Sequence, residues 1–558
     1  SKFKKFCKNQ SVASKMNMKL KSALFALAAL FACACTRPDL KVYLSDSGLE
    51  KELLVWQEML ARHRDAEAGK RGACRTEMGY VRIVSDREMP AVRRCGNEAA
   101  ADLVIALDDG MPEEAFRIAD GRLTAGSPAG VFLGLQELTL ELLAGTELDS
   151  VCVEINPEAA QRGALLDCAR QFFSVGEVKE FIDILALNKM NVFHWHLTED
   201  QGWRIAIDKY PLLTEIGSVR HHTDEARYND WRDASRDSLQ YGPYFYTKEQ
   251  IRDIVAYAAD RHIKVVPEID MPGHMLAALA SYPHLGCRGQ GYEVWTHWGI
   301  SPDVVCLGRE SSYEFLMDVI DEVLALFPSD MIHIGGDEAP TVRWEECPDC
   351  RRFMEEHGMK EAGELQKYMS RLVGDHIRAA GRSCIVWDDA IDGGLDTAAV
   401  VMNWSCRPGR LDAVRANGNR IIQTAKYNCY LDYYQTYEPL KNGEVDMGAR
   451  RYLPLQRCYE FDPLAGFSKD EAARVIGLQG NVWTEYMPSF DQVEFMMLPR
   501  LTALAEVGLG TKLGYDDFLT RLKEKYVPAY EYFGFVYAPF ALDGTEPYCL
   551  SEGYKVKY

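Results

Sequence analysis

The run His333-Ile334-Gly335-Gly336-Asp337-Glu338 sets two carboxylates side by side after an apolar stretch, Met331 to Ile334, that reads as a buried strand. Two glycines let the backbone turn where the strand ends, so the acids arrive at a fixed corner. Paired carboxylates suit proton transfer, because the charge of one raises the pKa of the other; here Asp337 is expected to raise Glu338. Other apolar stretches end in the same manner. One leads into His194-Trp195-His196-Leu197-Thr198-Glu199-Asp200-Gln201-Gly202-Trp203-Arg204, and another into Pro267-Glu268-Ile269-Asp270-Met271-Pro272-Gly273-His274. Trp387-Asp388-Asp389, Asn403-Trp404 and Trp483-Thr484-Glu485 close three more. Carboxylates accept hydrogen bonds from hydroxyls, and indole faces stack on the apolar face of a pyranose ring, so this combination suits a sugar.

Such groups need elements that bring them to one place. Apolar strand candidates fall at Ala164 to Cys168, Met190 to Leu197, Lys264 to Asp270, Met331 to Gly335, Ser383 to Asp388, Ala399 to Trp404, Arg420 to Ala425 and Val475 to Trp483. Amphipathic helices lie between several of them: Val178, Phe181, Ile182 and Leu185 share a face, as do Ile251, Ile254, Val255 and Ala258. Ser174 with Glu177, Thr247 with Gln250 and Ser311 with Glu314 have capping-box spacing and predict helix starts. Eight alternating units predict an α/β fold closed as a (β/α)8 TIM barrel, in which catalytic groups gather at the C-terminal strand ends. Residues 36–155, with strands at Tyr80 to Val84 and Leu103 to Leu107 and an apolar helix from Ala129 to Leu143, form a small α/β domain before it. The barrel and a C-terminal helical segment take 156–558.

At 47% hydrophobic and 26% charged residues the composition is that of a globular protein, and a net charge of -20 argues against nucleic acid as a partner. From Met16 or Met18, Lys19 and Lys21 precede an apolar run from Ala23 to Ala32, too short to span a bilayer, and then Cys33 and Cys35. That pattern resembles a bacterial lipoprotein signal, with residues 1–15 an upstream extension. It predicts export to the periplasm or outer membrane and contact with the membrane only through lipid on Cys33 or Cys35. Sixteen cysteines show no dense framework, and past the leader Cys347-Pro348-Asp349-Cys350 is the one close pair. Without a second pair nearby it reads as a local disulfide or two free thiols in preference to zinc.

Taken together, His-x-Gly-Gly-Asp-Glu, His-x-His-Leu-Thr-x-Asp-Gln-Gly-Trp-Arg and Pro-Glu-Ile-Asp-x-Pro-Gly-His resemble the family 20 glycoside hydrolases, the β-N-acetylhexosaminidases, over about residues 110–505. The resemblance implies that Glu338 is the general acid and that Asp337 orients the substrate's 2-acetamido group, whose oxygen serves as nucleophile. It implies that Tyr430 hydrogen-bonds the acetamide oxygen and that Trp387, Trp404 and Trp483 wall its methyl. Arg162, in Arg162-Gly163-Ala164-Leu165-Leu166-Asp167, is similar to an arginine that grips the 3- and 4-hydroxyls. Asp432 and Glu485 match acids that hold the far hydroxyls, and Asp200 and His274 match positions bordering the site. The implied reaction is exo cleavage of terminal β-linked N-acetylhexosamine with retention, without cofactor or metal; the implied partner is an oligosaccharide or glycoconjugate.

Glu199 stands where the family often has Asp, and Val386-Trp387-Asp388-Asp389 replaces a usual Gly-Trp-Asp-Glu. Many members carry a further tryptophan past Tyr-x-Asp as a platform for the leaving sugar; residues 433–475 have none, and Tyr433, Tyr434, Tyr437 or Tyr459 are substitutes. Trp295, His297 and Trp298 lie in a loop that either reaches the site or simply packs. A metal-dependent barrel hydrolase would use His194-x-His196 as ligands, and a sugar-binding lipoprotein would keep the fold without the reaction.

Overall fold

The computed structural model describes residues 39–66, 72–75, 80–221, 240–436 and 451–543. The leader with Cys33 and Cys35, and Tyr437, lie outside them. Among the described residues no helix is long and apolar enough to cross a membrane.

Eight parallel strands close into the expected barrel: β1 (Gln161–Asp167), β2 (Val192–His196), β3 (Lys264–Glu268), β4 (Met331–His333), β5 (Ser383–Trp387), β6 (Val400–Asn403), β7 (Arg420–Gln423) and β8 (Val475–Val482), with β8 paired back onto β1. Alternation divides each strand between two cores. Leu165, Val192, Val266, Met331, Ile385, Val400, Met402 and Ile422 fill the interior of the barrel under Trp387. Their neighbours in sequence, among them Phe193, Val265, Ile332 and Val401, pack outward against the surrounding helices.

Local sequence sets the helix starts. Ser174 and Glu177 form a reciprocal capping box at Val175–Leu187, and Thr247 and Gln250 another at Lys248–Ala259. The third expected box is absent: helix Glu310–Leu326 begins one residue before Ser311, with Arg309 at its cap position and no side-chain cap bond.

Ahead of the barrel, a six-stranded sheet runs in the order Val92–Arg94, Leu40–Leu44, Leu103–Leu107, Arg122–Ala125, Phe116–Ala119, Val153–Ile155. Val81–Val84 is not part of it; that strand pairs with Gly72–Arg75 as a separate hairpin. Helix Pro128–Ala144 starts at Ser127, whose side chain accepts from two backbone amides, and stops at Gly145 in the left-handed conformation. It is buried on nearly every face because it lies between this sheet and the C-terminal helices.

Candidate active site

The rim at the C-terminal ends of the strands collects ten of the eleven side chains singled out from sequence: Glu338, Asp337, Tyr430, Asp200, His274, Trp387, Trp404, Asp432, Trp483 and Glu485. Strand β4 stops at His333, and the chain turns through Gly335 (φ +65°) and Gly336 (φ +94°) to Glu338, which is itself at φ +45°. A Cβ on Gly335 would sit 1.7 Å from Oδ1 of Asp270, so the corner depends on glycine for space as well as for conformation. Asp270 accepts from the Gly336 amide at 3.1 Å and Gln366 donates to the Gly336 carbonyl at 2.7 Å. Asp337 and Glu338 are thereby held facing His274, whose Nε2 lies 3.8 Å from the first and 3.7 Å from the second.

Behind His274 stands Glu199, one of the positions that depart from the pattern the sequence resembles. Its two oxygens meet His274 Nδ1 at 3.0 Å and Arg170 Nη2 at 2.5 Å. Asp200 is fully buried and accepts from the Leu276 amide at 3.0 Å, starting the short helix that follows His274. One layer deeper, Glu268 is bonded by His194 (3.1 Å), His196 (2.5 Å), His333 (3.1 Å) and the Trp387 indole N–H (2.7 Å). The carboxylate and imidazole donors of His194, Glu268 and His333 are close enough to share an ion, as are those of Glu199, Asp200 and His274, but each set is engaged in these mutual contacts.

Opposite the acids, Trp387 and Trp483 stand 5.9 Å apart between ring centres, Trp404 and Tyr430 stack at 5.8 Å, and Tyr430 is 6.3 Å from Trp483. The Trp404 indole donates to Asp389 at 2.7 Å, which fixes that wall. Of the described candidates, Tyr433 lies beside Tyr430 at 5.8 Å, Tyr434 is buried against Tyr452, and Tyr459 stacks on Phe518 near the other end of the barrel. Trp295 donates its backbone amide to the Asp200 carbonyl at 2.9 Å, so its loop packs over the rim.

Arg162 is placed elsewhere. It lies near the start of β1, where its side chain donates to the carbonyls of Lys189 (3.0 Å) and Ala159 (2.8 Å) and pairs with Glu114 at 2.8 Å. Five residues of strand, about 16 Å, separate it from the rim. The arginine in the site is Arg170, three residues past the end of β1. It bonds Glu199 and Asp167, its guanidinium lies 5.1 Å from the Trp483 ring, and the charges of Glu485 and Asp337 act on it. The rule that catalytic groups follow strand ends would have found it, and Glu199 with it.

The electrostatics of the acid pair differ from expectation. Burial raises Glu338, but the charge of the His274 imidazole 3.7 Å away, with the charge of Arg170, outweighs burial and leaves it below the usual carboxylate range. Asp337 goes the other way, lifted by burial to about 7 despite His274, with the Glu338 charge adding to the rise. Burial disfavours the His274 cation, yet Glu199, Asp200 and Glu338 hold its pKa well above normal. Burial raises Asp432 strongly and Glu485 more moderately. Oδ1 of Asp337, Oδ1 of Asp432, Nε2 of His274 and Nε of Arg170 are buried without a hydrogen-bond partner. Such groups are expensive to leave unpaired, and four of them at one rim describe a place for a polar ligand.

Comparison with known proteins agrees with this geometry. The model of the catalytic domain of glycosyl hydrolase family 20 matches residues 160–509. A β-hexosaminidase from Porphyromonas gingivalis is 38% identical over 450 residues, which is 76% of this chain and 55% of that protein, so the chain spans about half the relative's length. The crystal structure of an exo β-N-acetylglucosaminidase from Vibrio harveyi in complex with N-acetylglucosamine superposes with a TM-score of 0.74 at 30% identity, covering 89% of this chain and 75% of that one. A β-N-acetylhexosaminidase from Bacteroides fragilis gives 0.70 at 29% identity, covering 92% and 96%.

Proposed function

Because the chain belongs to glycosyl hydrolase family 20, we propose that it removes terminal β-linked N-acetylglucosamine or N-acetylgalactosamine from the non-reducing ends of glycans, with the substrate's own acetamide as nucleophile. The observation that carries this reading is the buried, unpartnered Oδ1 of Asp337, near enough to Tyr430 for its charge to act on that hydroxyl, while Trp404 and Trp483 flank Tyr430 and Trp387 stands beside Trp483. An acetamide placed there donates its N–H to Asp337, takes a hydrogen bond from the Tyr430 hydroxyl on its oxygen, and packs its methyl against the indoles.

That placement also moves a proton. In the free site Asp337 holds one near neutral pH and Glu338 does not. The amide N–H favours the Asp337 carboxylate, while the glycosidic oxygen accepts from a protonated Glu338, so substrate shifts the pair's proton to the residue that uses it. Glu338 then protonates the leaving oxygen as the C1–O bond breaks, and the acetamide oxygen bonds to C1 to give an oxazolinium. Water adds to C1 with Glu338 as base, which restores the acetamide with retention. Arg170, with Asp432 and Glu485, takes the hydroxyls at the closed end, which restricts cleavage to the terminal sugar.

Release of 4-nitrophenol from its N-acetyl-β-glucosaminide tests the reading. Turnover should fall about 100-fold or more in Glu338→Gln, and the corresponding β-glucoside, which lacks the acetamide, should not react. Equal rates on the two glycosides would sink the substrate-assisted mechanism. Export with lipid on Cys33 or Cys35 is a separate proposal, supported by residues 16–35; labelled palmitate should enter the expressed protein and be lost when both cysteines are changed to serine.

A further inference from the structure

Cys287, Cys306, Cys347 and Cys350 come from three separate stretches of chain, and their sulfurs all lie within 4.8 Å of one another. Cys306 is 3.6 Å from Cys350 and 3.8 Å from Cys347, and Cys287 is 3.9 Å from Cys350. A disulfide would need about 2.05 Å. Four thiolates around a zinc ion at about 2.3 Å would stand about 3.8 Å apart along each edge of the tetrahedron. We propose that these four cysteines bind a structural zinc ion as a closed tetrathiolate site.

The surroundings are built for it. Cys306, Cys347 and Cys350 are buried, and Cys287 is partly accessible, which leaves an entry path. Arg309 supplies a cation beside a cluster that would carry net negative charge. A Cβ on Gly308 would meet the Cys350 nitrogen at 2.3 Å, so that glycine is what lets the two cysteine-bearing backbones close on each other. Hydrogen bonds hold the same two segments together: the Trp344 indole donates to the Val305 carbonyl at 2.8 Å, and Asp303 bridges Arg288 (2.8 Å) and Arg343 (2.7 Å). The first segment follows β3 and His274, and the second follows β4 and Glu338. Zinc here would clamp the loop that carries the imidazole to the loop that carries the acid pair.

The test is metal analysis of the full chain purified without chelator. We expect about one zinc per chain, retained on dialysis, and cobalt in its place should give the intense visible bands of tetrahedral thiolate coordination. Cys287→Ser should lose the zinc, while Cys152→Ser, at an exposed cysteine outside the cluster, should keep it. Metal-free protein whose intact mass lacks one hydrogen per cluster sulfur would overturn the proposal in favour of two disulfides. Metal-free protein with the four thiols reduced would overturn it too. These readouts are independent of whether any variant retains activity.

Discussion

At the residue scale, the acid pair shows how burial and a neighbouring imidazole divide two adjacent carboxylates. Asp337 is held with 16% of its side chain accessible, and burial brings its pKa to about 7. Its folded pKa exceeds its unfolded value, so its contribution to stability is fully present below about pH 4 and is lost as pH rises through 7. Asn at this position stays neutral throughout. We expect Asp337→Asn to be more stable than the parent by about 1–3 kcal/mol at pH 8 and equal to it near pH 4, read as melting temperatures across pH. The same variant should turn over poorly under the proposed mechanism, since Asn does not become the anion assigned there to the acetamide N–H. A stability difference that fails to shrink toward pH 4 would remove burial of this carboxyl as its cause. The two arginines provide a second comparison. Arg170→Gln should lower kcat/KM by about 10- to 100-fold, the loss of one charged hydrogen bond to substrate. Arg162→Gln should leave kcat/KM near the parent value and lower the melting temperature, since Arg162 serves the base of the barrel. The opposite pattern would return the binding role to Arg162.

At the scale of elements, the corner after β4 is where backbone geometry becomes chemistry. Gly335→Ala adds a methyl at φ +65° and 1.7 Å from Asp270 Oδ1, so Asp270 or the corner must move. We expect loss of at least about 1–2 kcal/mol of stability, together with a loss of kcat well beyond that of a typical buried Gly→Ala change, measured by denaturation and by turnover; a fully active variant would show that the corner's position is not what sets Asp337 and Glu338. Much of this element structure is readable in sequence. Met331, Ile332 and Ile334 are apolar because β4 is buried on both faces, and the Gly-Gly that follows has to mark a sharp turn. Strand ends therefore identify most of the rim. Arg162 escapes because a motif match ignores direction along the strand: the residue sits on the right strand at the wrong end, whereas Arg170 lies past the right end with no motif to draw attention to it. Glu199 follows a strand end, as the rule requires, but it reads as a conservative exchange, and its contacts with His274 and Arg170 are what show its part as a buried bridge. The cysteine cluster is invisible for a different reason. Cys287 and Cys350 are 63 residues apart and meet through loops, which carry no periodicity from which their path could be inferred.

Over the whole molecule, one buried carboxylate joins three parts of the chain. Glu137, in the helix of the N-terminal domain, pairs with Lys189 just ahead of β2 at 2.9 Å and with Arg521 of the C-terminal helices at 2.9 and 3.0 Å. Burial alone would raise its pKa, but the two cations outweigh it and bring it down to about 2. A depressed folded pKa means that the stabilisation is present above the unfolded value near 4.5 and is lost as pH falls toward 2. Removing the charge also leaves Lys189 buried beside a neutral group, which is the more damaging half of the change. Glu137→Gln should therefore be less stable than the parent by about 3 kcal/mol at pH 7, with the difference narrowing below pH 4. If the ion pairs are what seat the small domain on the barrel, limited proteolysis of this variant should cut between residues 144 and 160 faster than in the parent. Turnover of the still-folded enzyme should stay near the parent value, because Glu137 touches nothing at the catalytic rim. Unchanged proteolysis alongside reduced stability would assign the pairs to the cores on either side and leave the apolar faces of helix Pro128–Ala144 to hold the domains together.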